Sequence, residues 1–245
     1  MPRDQVTSGF FRIQNLVTLG LAVLAAVSAG RLHGTLDGTN AILSANNLQL
    51  IAIGLAACSY LGSILWPLER RVGATRVAIL IAVLSAVGVL FGSVPSEQLT
   101  TWSGSIFAIS ELSIGAVSGS AVAGMLLGHW YLTAPTMSTL PLNRVNSYLG
   151  VAAAIRLVFS GIGLMLYSQS SNAAGGHWSS TYSIWLSLDW LGGSIGQLIV
   201  SAMVWRIMKY RNTQAATGVL FVGVILAFLG EMTAALLRQE LNLPL

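Results

Sequence analysis

The sequence predicts an all-α fold, a polytopic transmembrane bundle of seven helices, and three observations predict it. The 245-residue chain is 54% hydrophobic and only 8% charged, far from the roughly 25% charged residues of a soluble domain. Its mean hydropathy is +0.74. Seven separate apolar runs approach the roughly 20 residues that a helix needs to cross about 30 Å of hydrocarbon.

The first run, near 12–30, follows Arg3 and Arg12 and ends Val27-Ser28-Ala29. That also has the form of a cleavable signal peptide; a retained first helix is the expectation here. The second, 47–67, stops at Pro67 before Glu69-Arg70-Arg71, and the third, 73–94, at Pro95 before Glu97. The fourth, 103–130, is followed by a Thr/Ser-rich turn bracketed by Pro135 and Pro141, residues that interrupt a helical hydrogen-bond ladder. The fifth, 145–168, leads into a polar loop, 168–181, that carries His177; the sixth and seventh run 181–208 and 215–237. Residues 1–245 thus read as one integral-membrane domain without a soluble domain or internal repeat. Gly115, Gly119, Ser120, Gly124 and Gly128 in the fourth helix, and Gly192 and Gly196 in the sixth, predict close backbone contacts and a central place for both.

Orientation follows from basic residues in short loops. Arg3, Arg12, Arg70, Arg71, Arg76, Arg144, Arg206, Lys209 and Arg211 fall on one side of the seven windows, and Arg31 and Arg238 on the other. This asymmetry predicts a cytoplasmic N-terminus and an outside C-terminus, in what reads as a bacterial cytoplasmic membrane. Confinement of the +4 net charge to such loops also argues against nucleic acid as a partner.

Several chemistries lack residues to carry them. The lone Cys58 allows no intramolecular disulfide and reads as a small core residue. A haem held between helices needs paired axial ligands, and of three histidines only His129 falls in a predicted helix. Retinal would need a buried lysine, whereas the only lysine, Lys209, lies at a helix end. No zinc-protease, serine-hydrolase or nucleotide-binding motif is present.

Four ionisable residues do fall inside apolar windows: Glu111, Arg156, Asp189 and Glu231. Each costs roughly 2.5 to 3.5 kcal/mol there unless paired, and such residues are by default functional. At 1.5 Å per residue they lie on the order of 5 to 17 Å below the outer boundary. Arg156 stays charged and is expected to pair with one or two of the carboxylates, leaving another neutral and able to carry protons. The structural alternative is an ion pair around Arg156, with the remaining acids capped by Ser110, Ser113, Ser160 or Gln197. Glu111 and His129 share one helical face, one near each membrane surface, with Gly115, Ser118, Val122 and Met125 between them; only Ser118 of these is polar, so a proton route along the stripe would need water or other helices.

At the inner surface, His129, Trp130 and Tyr131 close the fourth helix, and Arg211, Asn212 and Gln214 open the seventh, with Asn212 or Thr213 as its N-cap. Together with Arg144 these offer donors and aromatic faces suited to a quinone or an anionic lipid headgroup. An interfacial aromatic belt would have the same composition. The leading functional reading is an integral-membrane subunit of a larger respiratory or photosynthetic electron-transfer complex. It would contribute a quinone or lipid site and a proton route, with no haem or covalent cofactor of its own, and its partners would be lipids and other membrane or redox subunits. The alternatives are a small proton-coupled transporter or channel using the intramembrane charges, and a structural or assembly subunit.

Overall fold

The computed structural model describes residues 6–31, 44–93, 102–133, 137–174 and 180–241, and among these there is no strand. They form α1 (Ser8–Arg31), α2 (Ala45–Leu65), α3 (Arg71–Ser93), α4 (Trp102–Thr133), α5 (Leu140–Ala174), α6 (Ser180–Lys209) and α7 (Thr213–Leu241). All seven are long and apolar enough to cross a membrane. Each predicted window therefore has its helix.

The largest differences concern α5. Pro141 lies in its first turn, where a proline removes no helical hydrogen bond, and Asn143 N–H already donates to Thr139 O at 3.2 Å. Arg144 is thus a helix residue. At the other end α5 continues to Ala174, so 168–174 are helix and not loop; helical hydrogen bonding outlasts the apolar composition. Arg3, Pro95, Glu97, Pro135 and His177 lie outside the described residues.

The chain divides into two compact units, 6–108 and 109–245. In the first, α2 packs antiparallel to both α1 and α3. Phe11 stacks on Trp66 with ring centroids 4.1 Å apart, and the bare backbones of Gly62 and Gly30 admit Asn15 and Gln49. Gly88 and Gly92 of α3 meet Ile51 and Leu48. The tight turn before α3 places Glu69 at φ 54°, a left-handed conformation that here ends α2 without a glycine.

In the second unit, α4 from Ile109 onward and α5 to α7 form an up-down-up-down ring in which each helix runs antiparallel to its neighbours. Down α4 and up α7, Glu111 faces Arg238, Ser118 faces Glu231, Gly124 faces Leu220 and Gly128 faces Thr217. Gly124 also meets Val145 of α5, which closes the ring. Between α5 and α6, Asn146 and Ser201 exchange side-chain to backbone hydrogen bonds of 2.9 and 3.0 Å. Outward residues such as Val151, Ile225 and Met232 are exposed, while Asn146, Arg156, Ser160, Asp189, Ser194 and Gln197 are buried. That inversion suits lipid, which solvates Leu and Ile but not amides or charges.

Contact between α6 and α7 is made backbone to backbone. A Cβ on Gly230 would lie 2.3 Å from Gly193 N, and one on Gly192 would lie 2.6 Å from Leu226 O. Gly192 thus packs as its spacing predicted, as do Gly124 and Gly128 of α4, but Gly115 and Gly119 are exposed with nothing near them. Gly230→Ala should therefore destabilise the protein by about 1–3 kcal/mol, as overpacking does. Gly218→Ala, on the same helix with open space around it, should leave detergent-solubilised thermal unfolding unchanged or raise its midpoint. Equal effects of the two would contradict the packing.

Candidate functional site

Asp189 ends the first α-helical part of α6, and the next six residues, Trp190–Ile195, are wound as a π-helix before the α-helix resumes at Gly196. The wider turn carries Gly192 and Gly193, and such segments frequently mark functional sites. Gly193 lies between two neighbours. On one side is Gly230 of α7, and on the other is the guanidinium of Arg156 from α5, which a Cβ on Gly193 would approach to 2.7 Å. Arg156 is fully buried, and its Nη2 donates to Asp189 Oδ1 at 2.5 Å. One turn along α5, Ser160 Oγ accepts from Trp190 Nε1 at 2.9 Å.

This pair does not exhaust the polar groups around it. Among the described residues, Arg156 Nε and Nη1, Asp189 Oδ2, Ser194 Oγ and Gln197 Oε1 are buried without a hydrogen-bond partner in the protein. Gln197 Nε2 is well used, donating to Gly192 O at 3.1 Å and to Gly223 O at 2.7 Å.

The other two intramembrane acids lie on the seam between α4 and α7. Glu111 is paired with Arg238, and Glu231 accepts a hydrogen bond from Ser118 Oγ at 2.9 Å. The four charges expected as one network thus fall into three separate contacts. Arg156 holds one carboxylate, Asp189, and a second arginine neutralises Glu111. Arg238 was expected only as a topology-setting charge beyond the seventh window; α7 continues to Leu241 and includes it. The hydroxyls expected to cap the acids do other things: Ser113 donates to Ser110 O, and Ser160 serves Trp190. Matching seven-residue spacings, Glu111 to Ser118 and Glu231 to Arg238, were the available signal for this seam, since both place residues on one face two turns apart.

At the far end of the unit, packing of Gly128 against Thr217 brings the end of α4 to the start of α7. Of the expected headgroup-binding residues, Tyr131 is buried and donates its hydroxyl to Ser138 O. Asn212 caps α7 by accepting from Ala215 N–H at 3.0 Å, as its N-cap position predicted. Arg211 takes φ 55° in the turn after α6. His129, Arg144, Arg211 and Gln214 are exposed and Trp130 is half-buried. Lys209 stands 3.7 Å over the Trp205 ring.

Among the described residues, no group of three or more His, Cys, Asp or Glu side chains could hold a metal ion. No family model matches the chain, and no curated protein or solved structure matches it either. Fold and composition define its class, an integral, multi-pass membrane protein.

Removal of Arg238 should matter more than neutralising Glu231. Arg238→Met leaves Glu111 buried without its counter-charge and should cost about 1–2 kcal/mol, discounted for the partial exposure of Arg238. Glu231→Gln keeps an acceptor for Ser118 and should change the unfolding midpoint little. The reverse order in thermal unfolding would contradict these assignments.

Proposed function

We propose that the chain is a proton-coupled membrane transporter or channel whose second unit carries the coupling, with Asp189 as the proton-exchanging group and Arg156 as its fixed counter-charge. One observation carries this reading. A fully buried arginine–aspartate pair sits where a π-wound segment begins, with two donor nitrogens left over on Arg156 and an acceptor oxygen on Asp189. A purely structural pair gains by satisfying those groups, since each one left unpaired is costly. Protonation of Asp189 removes its charge and loosens its hold on Arg156, whose released N–H groups then favour an anion or a second acceptor. Loss of the proton restores the pair. The helix contacts on either side of Gly193 transmit that change to α5 and α7. Glu231, held by Ser118, follows Gly230 at this site, and Glu111, held by Arg238, lies two turns further along the α4–α7 seam. In this proposal the N-terminus is cytoplasmic and the membrane is the bacterial inner membrane, on the asymmetry of basic residues.

In proteoliposomes under a pH gradient, Asp189→Asn should abolish proton-coupled flux while the protein remains folded, and Arg156→Lys should reduce it by at least about tenfold, because a point charge replaces a planar fork. Wild-type flux in Asp189→Asn would reject the reading.

The electron-transfer reading, with a quinone or lipid headgroup near His129, Arg144, Arg211 and Gln214, draws on the exposure of those four side chains. It has less support, because the Tyr131 hydroxyl and the Asn212 oxygen already serve internal hydrogen bonds. It predicts retention of quinone and co-purification with redox subunits, and a stable chain that carries neither would reject it.

A further inference from the structure

Two partly polar stripes meet along the α5–α6 contact. On α6, Asp189, Ser194, Gln197 and Ser201 follow at steps of five, three and four residues, the step of five spanning the π-wound segment. The step of five, the hydrogen-bond spacing of that winding, is little more than one turn; Asp189 and Ser201 both meet α5, whereas the Gln197 amide lies against α7, where its Nε2 donates to Gly223 O. On α5, Asn143, Asn146, Gly150, Ala153 and Arg156 follow at steps of three, four, three and three, which sweep about 140° around the helix and set small residues, Gly150 and Ala153, between the polar ones. The stripes are joined at one end by the reciprocal Asn146–Ser201 hydrogen bonds and at the other by Arg156–Asp189.

Between these two ties lie Ser194 and Gln197 of α6 and the small residues Gly150 and Ala153 of α5, and the polar groups there and at the ties are incompletely paired. Asn146, Arg156, Asp189, Ser194 and Gln197 are each nine-tenths or more buried, and each has at least one side-chain atom with no partner in the protein. Asn143 Oδ1 is in the same condition on a residue that is itself half-buried, at the end where α5 begins. So many orphaned groups in series are not tolerated in a dry helix interface within lipid. Small and roomy polar sites with two to four partners are where proteins bind internal water.

We propose that the α5–α6 interface binds a file of water running from Asn143 to Asp189, which connects the buried carboxylate to the membrane surface on which α5 begins. At 1.5 Å per residue, Asn143 to Arg156 covers about 20 Å, most of the way through the hydrocarbon. Asn146 Oδ1 and Ser194 Oγ hold the file, Gln197 Oε1 borders it from the α7 side, and Asp189 Oδ2 ends it. A proton passes along it by exchange between neighbouring waters; the terminal water gives a proton to Asp189 Oδ2 and is itself reprotonated from the next. On the return the carboxyl gives the proton back, so no other bond is made or broken. The charged groups around Asp189 are Arg156 of α5, and Glu231, which adjoins the Gly230–Gly193 contact on α7 and is held by Ser118 of α4. This inference deepens the transport reading and supplies its access route.

Radiolytic hydroxyl labelling of the full chain in lipid nanodiscs, read by mass spectrometry, tests it, because bound water oxidises side chains that bulk solvent does not reach. Leu149, fully buried one turn from Asn146, should be oxidised at least about tenfold faster than Leu237, equally buried but packed among Tyr182, Trp185 and Leu186. Equal protection of the two overturns the water file. Ser194→Ala gives a second test, since the hydroxyl has no protein partner to lose; proton flux in proteoliposomes should fall about tenfold with the unfolding midpoint unchanged. An unaltered flux overturns the role of Ser194 and with it the file. Oxidised Leu149 in a chain with no flux at all would keep the file and overturn the transport reading, whereas Asp189-dependent flux with Leu149 protected would do the reverse.

Discussion

A guanidinium within the membrane has to be neutralised where it lies, and Arg156 imposes that requirement on the whole second unit. Its full burial places the head group between α5 and α6, where lipid cannot solvate it and water cannot reach it freely. A carboxylate must then stand on the facing helix at the same level, which fixes the register of α6 against α5 through Asp189. Room must also exist for a large planar group. Gly193 supplies it by presenting bare backbone, and the π-wound turn brings Gly192 and Gly193 against α7 at the same time. The pair and the glycine contacts are therefore one device: the charge sets the level, and the missing side chains let three helices meet there.

The remainder of the unit follows lipid rather than water logic. Apolar side chains cover the outside, and contacts inside are made by glycines, hydroxyls, amides and three ionic or charge-assisted hydrogen bonds. In hydrocarbon there is no hydrophobic drive to associate apolar faces, so close backbone packing and internal hydrogen bonds must hold helices together. The α4–α7 seam divides these means along its length: polar pairs at Glu111–Arg238 and Ser118–Glu231, then small residues at Gly124 and Gly128. The first unit uses the same vocabulary with amides, Asn15 and Gln49 against Gly62 and Gly30, and among its described residues no acid lies within a helix.

Hydropathy made all seven helices legible, because hydrocarbon thickness sets their length and nothing in the chain competes with that constraint. Boundaries were less legible. Pro141 reads as an interruption but belongs to a first turn, and the polar residues after 168 read as a loop although the helix continues. The four intramembrane charges stood out for their cost, yet their pairing did not follow from depth alone. Three acids lay at comparable levels, and only the register between helices selects Asp189 for Arg156 and Arg238 for Glu111. The π-wound stretch left no trace in the sequence beyond the Gly192-Gly193 doublet. Gly115 and Gly119 had the spacing of a packing motif and are exposed, since small-residue spacing marks a face able to pack without saying that it does.

The energetic coupling between Arg156 and Asp189 tests the account most directly, by a double-mutant cycle on thermal unfolding with Arg156→Met, Asp189→Leu and both together. Each single change leaves a buried group without its partner and should cost about 3–5 kcal/mol, while the double variant, with apolar residues of similar volume, should recover most of that loss. Additive losses, or single variants as stable as the native chain, would mean that the two side chains do not hold one another inside the unit.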